Sequence, residues 1–141
     1  MTEYKEHTPT PGQFNRLTDR VSWGKRDENV VAKALERTLY SLCAFDGEKI
    51  VGYGRIIGDE TIFLYIQDIM VVPEYQGRGV GTGVMKNLLE KIDEYRKLNP
   101  RIRVYLGADK GKEGFYEKLG FSTRREAGLG PGMIMWPLPE E

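Results

Sequence analysis

The sequence predicts a mixed α/β fold, with helices flanking one central sheet. Three observations carry that expectation. Three apolar stretches, near residues 39–46, 49–58 and 61–72, follow one another across short polar links. A long apolar stripe at helical period begins soon after the third. Between stripe and strand stand four glycines at alternate positions, Gly77, Gly79, Gly81 and Gly83.

The elements follow in order. Residues 2–7 suit a short edge strand. Thr10 before Pro11 is the pairing of a helix N-cap with a first-turn proline, and Phe14, Leu17 and Val21 give that helix an apolar face near 11–22. Asp27 suits the cap of a second helix bearing Val30, Val31, Ala34 and Leu35 on one side. Asp46-Gly47-Glu48 and Gly58-Asp59-Glu60 are turn sequences, so the three strands they separate should pair antiparallel. Val84, Met85, Leu88, Leu89, Ile92 and Tyr95 define the long helix, which must end before Pro100. A strand at Ile102–Leu106, a short helix at Lys112–Leu119, and closing strands at Phe121–Thr123 and Met133–Leu138 complete the order.

Composition bounds the function. The 141 residues fit one domain and contain 40% hydrophobic residues, enough for an ordinary core. Lys and Arg number 21, as do Asp and Glu, so there is no basic excess of the kind nucleic-acid binding calls for. No apolar run approaches the roughly 20 residues of a membrane span, and Met1–His7 has no signal-peptide character. One cysteine, Cys43, excludes an internal disulfide framework. A single histidine, His7, and a single cysteine leave no metal-ligand cluster and no cysteine–histidine couple. The simplest setting is cytoplasmic.

The glycines point to a ligand. Each costs about 1 kcal/mol against alanine inside a helix, so four at one helix start need a reason. The first N–H groups of a helix lack internal partners and lie at the positive end of its dipole. Without Cβ atoms in the way they can close on a phosphate, and Arg78 adds charge. The nucleotide-hydrolase loop is excluded, because no Gly-Lys-Ser/Thr occurs. The dinucleotide fingerprint G-x-G-x-x-G fails as well, ending on Thr82 from Gly77 and on Val84 from Gly79.

What stands here is Gln76-Gly77-Arg78-Gly79-Val80-Gly81 after Val71-Val72-Pro73. That segment resembles the acetyl-coenzyme A signature, Gln-x-x-Gly-x-Gly, of the GNAT superfamily of N-acetyltransferases. The order β-α-α-β-β-β-α-β-α-β-β matches that family over essentially the whole chain, taken as a single domain of residues 1–141. The resemblance implies an α+β fold with a mixed, mostly antiparallel sheet of six or seven strands and about four helices. The sheet would be splayed at the acetyl-CoA site. The backbone of Ile69, Met70, Val71 and Val72 would then face pantetheine. Gln76, Gly77, Arg78, Gly79, Val80, Gly81 and Thr82 would wrap the pyrophosphate.

A second segment, Phe115-Tyr116-Glu117-Lys118-Leu119-Gly120-Phe121, is similar to the family's Phe/Leu-Tyr-x-Lys-x-Gly-Phe. The resemblance implies that the Tyr116 hydroxyl lies near the coenzyme sulfur. A phenol of ordinary pKa about 10 can protonate a departing thiolate without being ionised at neutral pH. The other reading of Tyr116 is an aromatic anchor for its helix. Many members of that family carry an asparagine seven residues earlier that contacts the pantetheine arm, and this chain has Asp109 there.

The acceptor must be a deprotonated amine. Asp68 interrupts an apolar strand between Ile66 and Met70, and a carboxylate so placed is either paired or disfavoured in its charged form. It is therefore either the base or a partner of buried donors. Trp23, between the first two helices, and Tyr53 and Tyr65, on the strands, are candidates for the acceptor groove, with core packing the alternative. The activity implied is direct acetyl transfer from acetyl-CoA to a small-molecule or peptide amine in a ternary complex. A non-catalytic acyl-CoA sensor or an interaction domain on the same fold is the alternative, and a homodimer is left open.

Overall fold

A computed structural model of the chain describes residues 1–139, which fall into two compact units, residues 1–106 and residues from 107 onward. The first unit holds β1 (Thr2–Glu6), α1 (Pro11–Arg20), α2 (Glu28–Glu36), β2 (Tyr40–Asp46), β3 (Lys49–Gly58), β4 (Phe63–Val71), α3 (Val80–Leu98) and β5 (Arg103–Leu106). The second holds α4 (Glu113–Glu117) and irregular chain. No described helix is long and apolar enough to cross a membrane.

Local chemistry sets the helix starts. Thr10 and Gln13 form a reciprocal capping box at α1, with Pro11 in the first turn. Asp27 accepts from the Asn29 and Val30 N–H groups at the start of α2. Val30 faces solvent, so the inward stripe of α2 is Val31 and Leu35.

The sheet order is β1-β2-β3-β4-β5, antiparallel except for the parallel β4–β5 pair. Successive strand residues point to opposite faces. On β3, Tyr53 meets Phe14 of α1 edge-on, with ring centroids 5.8 Å apart. A Cβ on neighbouring Gly54 would come within 2.9 Å of Val84 and Leu88 on α3. The first unit is thus layered, α1 and α2 on one face and α3 on the other, with Leu17, Ile56, Leu64, Ile66, Met85 and Leu88 fully buried between.

The strand count differs from expectation. Five strands form among the described residues, and neither 121–123 nor 133–138 is one of them. Thr123 is taken up in a turn, its hydroxyl accepting from the Glu126 N–H. Residues 133–138 follow Pro131 and run into Pro137 and Pro139, and prolines cannot donate to a strand ladder. Met133, Ile134, Met135, Trp136 and Leu138 are exposed in consequence.

Candidate functional site

β4 is the strand on which the site is built, and two irregularities shape it. Its parallel pairing with β5 ends at Ile66 opposite Leu106, so the edge Gln67–Val71 has no β5 partner. On the other side, Tyr53 pairs with Met70 and Arg55 with Gln67, leaving Gly54 opposite both Asp68 and Ile69. That is a β-bulge, which puts one residue outside the ladder and bends the strand. Asp68 adopts φ +57°, a left-handed conformation that Asp tolerates better than most residues. Pairing ends on one side of β4 where the bulge begins on the other.

Just past this edge the chain turns through Pro73–Tyr75 into α3. Gln76 ties the turn back, its side-chain amide donating to the Val71 carbonyl at 2.9 Å. Gly77 and Gly79 take φ +77° and +82°, and nothing lies within 4 Å of where their Cβ atoms would be. Gly79 caps α3 without any side-chain hydrogen bond. The leading N–H groups of a 19-residue helix, those of Val80, Gly81 and Thr82, are therefore left for another acceptor. Left-handed glycines, open space and uncapped donors fit a phosphate group. Arg78 stacks over Tyr75, 5.2 Å from its ring centre, and adds positive charge.

Gly83 has a different purpose. A Cβ there would fall 2.2 Å from the Tyr4 ring of β1, so this fourth glycine makes room for a side chain rather than a ligand.

Asp68 is paired. Its Oδ2 accepts from Arg55 Nε at 2.7 Å and its Oδ1 from Gln67 Nε2 at 3.3 Å. The same guanidinium donates through Nη1 to Thr38 Oγ1 at 3.0 Å and to the Ala34 carbonyl at 3.4 Å, at the C-terminal end of α2. Of the two readings of Asp68 in the sequence, the partner of buried donors is the one its contacts match. Tyr53 is fully buried, with its hydroxyl 2.7 Å from Ser41 Oγ, and burial pushes its pKa up. It belongs to the core and offers no surface to an acceptor. Tyr65 is half-buried on β4, opposite Tyr105. Trp23 is 44% exposed in the α1–α2 loop, between Ser22 at φ +68° and Gly24 at φ +78°. Sequence reasoning missed Asn15, whose side chain pins that loop by two hydrogen bonds to the Arg26 backbone. It missed Arg55 too, although a charge in the middle of an apolar strand, beside a hairpin partner bearing Asp68, was a readable signal.

In the second unit, Tyr116 lies on α4 between Phe115 and Phe121, with ring centres 5.0 and 6.2 Å away. Burial, then the charge of Asp109, raise its pKa. The phenol is a neutral donor throughout the physiological range. Asp109 itself is exposed, in the turn before α4. Cys43 is buried, its thiol pushed up to about 12 by burial and donating to the His7 carbonyl. A thiol in that state is no nucleophile.

Residues 21–138 match the family model described as an acetyltransferase (GNAT) domain. The chain is 30% identical over 114 residues to an uncharacterized N-acetyltransferase of Prochlorococcus marinus, covering 78% of this chain and 61% of that protein. It is 30% identical over 141 residues to the chloroplastic GCN5-related N-acetyltransferase 2 of Arabidopsis thaliana, covering 86% and 52%. The chain thus spans about half to two thirds of these relatives. Among solved structures, a probable acetyltransferase of unknown function from Staphylococcus aureus superposes with TM-score 0.84 at 26% identity, over 96% of this chain and 100% of that one. A GNAT-family acetyltransferase from Streptococcus pneumoniae gives TM-score 0.77, also at 26% identity, over 99% and 100%.

Proposed function

The chain belongs to the GNAT acetyltransferase family, and from that premise we propose that it transfers acetyl from acetyl-CoA to an amine by direct attack. The observation that carries the reading is the uncapped start of α3 beneath Gly77 and Gly79, adjoining the unpaired β4 edge. The N–H groups of Val80, Gly81 and Thr82 hold the pyrophosphate. The main chain of Ile69–Val72 receives the pantetheine amides as it would an added strand. Acetyl-CoA, when bound, supplies an acyl group activated as a thioester. A backbone N–H of the bulged edge polarises the carbonyl, and Tyr116 donates a proton to the departing sulfur.

No side chain is assigned a covalent role, in keeping with the buried, protonated state of Cys43. Asp68 is engaged by Arg55 and Gln67, so the acceptor releases its proton to water. Trp23 remains the exposed aromatic assigned to the acceptor side. A reducing compartment such as the cytoplasm suits the free cysteine.

The test is release of the coenzyme A thiol from acetyl-CoA across a panel of small and peptide amines. Amine-dependent release supports the reading. Acetyl-CoA binding with no turnover on any amine would make the domain an acyl-CoA sensor instead.

A further inference from the structure

Arg55 is an expensive residue to place on β3. It and Asp68 keep only 16% and 12% of their side-chain surface exposed. Withdrawing two charges from water costs about as much as their attraction returns, so such a pair is weak as a source of stability. Its geometry suggests position instead. Three anchors meet on one guanidinium: the Asp68 carboxylate on β4, the Thr38 hydroxyl, and the Ala34 carbonyl at the end of α2. Asp68 is the left-handed residue of the β4 bulge. A non-glycine residue is strained there and persists only where its surroundings fix it.

We propose that Arg55 is a positioning residue. Through Asp68 it locks the β4 bulge to the end of α2, and so sets the direction of the unpaired edge Gln67–Val71. The consequence for catalysis rests on the acetyl-CoA reading of that edge; the mechanical role does not. Arginine is required because its planar fork serves several acceptors at once, whereas a lysine ammonium reaches the carboxylate as a point charge.

The experiment compares the full-length wild type with Arg55→Met and Arg55→Lys in two readouts. By amide hydrogen exchange, Arg55→Met should speed the amides of Gln67–Met70 by ~10-fold or more relative to those of β2, because the bulge opens locally. In amine acetylation, kcat should fall by ~10- to 100-fold, the scale of an ångström of misplacement. The KM for acetyl-CoA should rise by a smaller factor than kcat falls, since the glycine turn at α3 is untouched while Ile69 and Met70 are loosened. Arg55→Lys should recover part of both losses, and it carries the comparison if the methionine variant does not fold. Wild-type exchange at Gln67–Met70 in the variants would overturn the proposal, whatever the turnover. So would a loss of kcat no larger than the loss of folded protein. A wild type without turnover on any amine would count against the acetyltransferase reading alone, because the exchange comparison still decides what Arg55 does.

Discussion

The Asp68 carboxylate meets the Arg55 guanidinium at 2.7 Å across the β3–β4 hairpin, at the one point where β4 carries a left-handed residue. A bulge here lets β4 serve two neighbours in succession. Below it the strand pairs with β5; beyond it the same edge has no β5 partner and leads to the start of α3. The ion pair lies on the α1–α2 side of the sheet, since its third anchor is the end of α2. The open edge and the helices of that face are thus joined by one side chain.

Replacing Asp68 with Asn separates a structural role from a catalytic one. Asp68→Asn leaves Arg55 without its counter-ion and should cost about 2–3 kcal/mol of stability. A lost general base would be offset in alkaline buffer, where more of the amine is already deprotonated. We expect no such recovery, only a pH-independent deficit, read as parallel kcat/KM–pH profiles for the two proteins. Recovery toward wild-type rates at high pH would return Asp68 to the role of base.

Gly79→Val tests whether the glycine turn is a phosphate cradle. At φ +82° a β-branched residue is strained by at least ~1–2 kcal/mol, so the turn must change shape. Wild type should gain about 2.7 kcal/mol in roughly a hundred-fold excess of acetyl-CoA over Kd, seen as a rise in Tm. The folded variant should show little or none of that rise. An undiminished rise would mean the glycine turn does not hold the coenzyme.

Much of this was legible locally. Thr10-Pro11 and Asp27 announced two helices because a cap is a contact between residues two or three apart. The two hairpins were readable from their turns, and the glycine turn from its position between strand and helix. Contacts between distant residues were not readable. Alternation says that Tyr53 faces one side of β3, yet only the placement of α1 decides that the side is buried. Gly83 read like its three neighbours until Tyr4, from β1, filled the space beside it. Residues 133–138 have strand-like apolarity, but their flanking prolines and lack of a paired neighbour leave them irregular.

Gly54→Ala tests how closely α3 must approach the sheet. The added Cβ would sit 2.6 Å from Ile69 Cδ1 and 2.9 Å from both Leu88 Cδ1 and Val84 Cγ1. Overpacking of this kind costs about 1–3 kcal/mol. Urea unfolding should show a lower midpoint with an unchanged slope. A midpoint equal to wild type would show that α3 gives way freely.

Tyr53→Phe distinguishes core from acceptor groove. Removing the hydroxyl strands buried Ser41 and should cost about 1–2 kcal/mol, while the KM for amines stays at the wild-type value. The sign with pH follows from burial, which raises the folded pKa above the ordinary value of about 10. The tyrosine's contribution is complete below that ordinary value and is lost as pH climbs toward the folded one. The alkaline stability loss should be shallower in the phenylalanine protein. A changed amine KM at unaltered stability would place Tyr53 in the groove after all.

Tyr116 and Asp109 make the sharpest pH prediction. If Tyr116 is the proton donor, Tyr116→Phe should lower kcat by ~10- to 1,000-fold with little change in coenzyme affinity, the effect of a lost general acid. The donor works only while protonated, so kcat should fall at high pH along a limb set by its phenol. Burial, the larger influence, and the negative charge of Asp109 both favour the neutral form, which puts that limb above the ordinary tyrosine range. Asp109→Asn removes the charge but not the burial. The limb should therefore move to lower pH without reaching the ordinary value, and kcat at neutral pH should change little. In Tyr116→Phe the limb should vanish, leaving a low and flat profile. An alkaline limb that survives in Tyr116→Phe, or that ignores Asp109→Asn, would assign the proton to another group and leave Tyr116 as an aromatic anchor between Phe115 and Phe121.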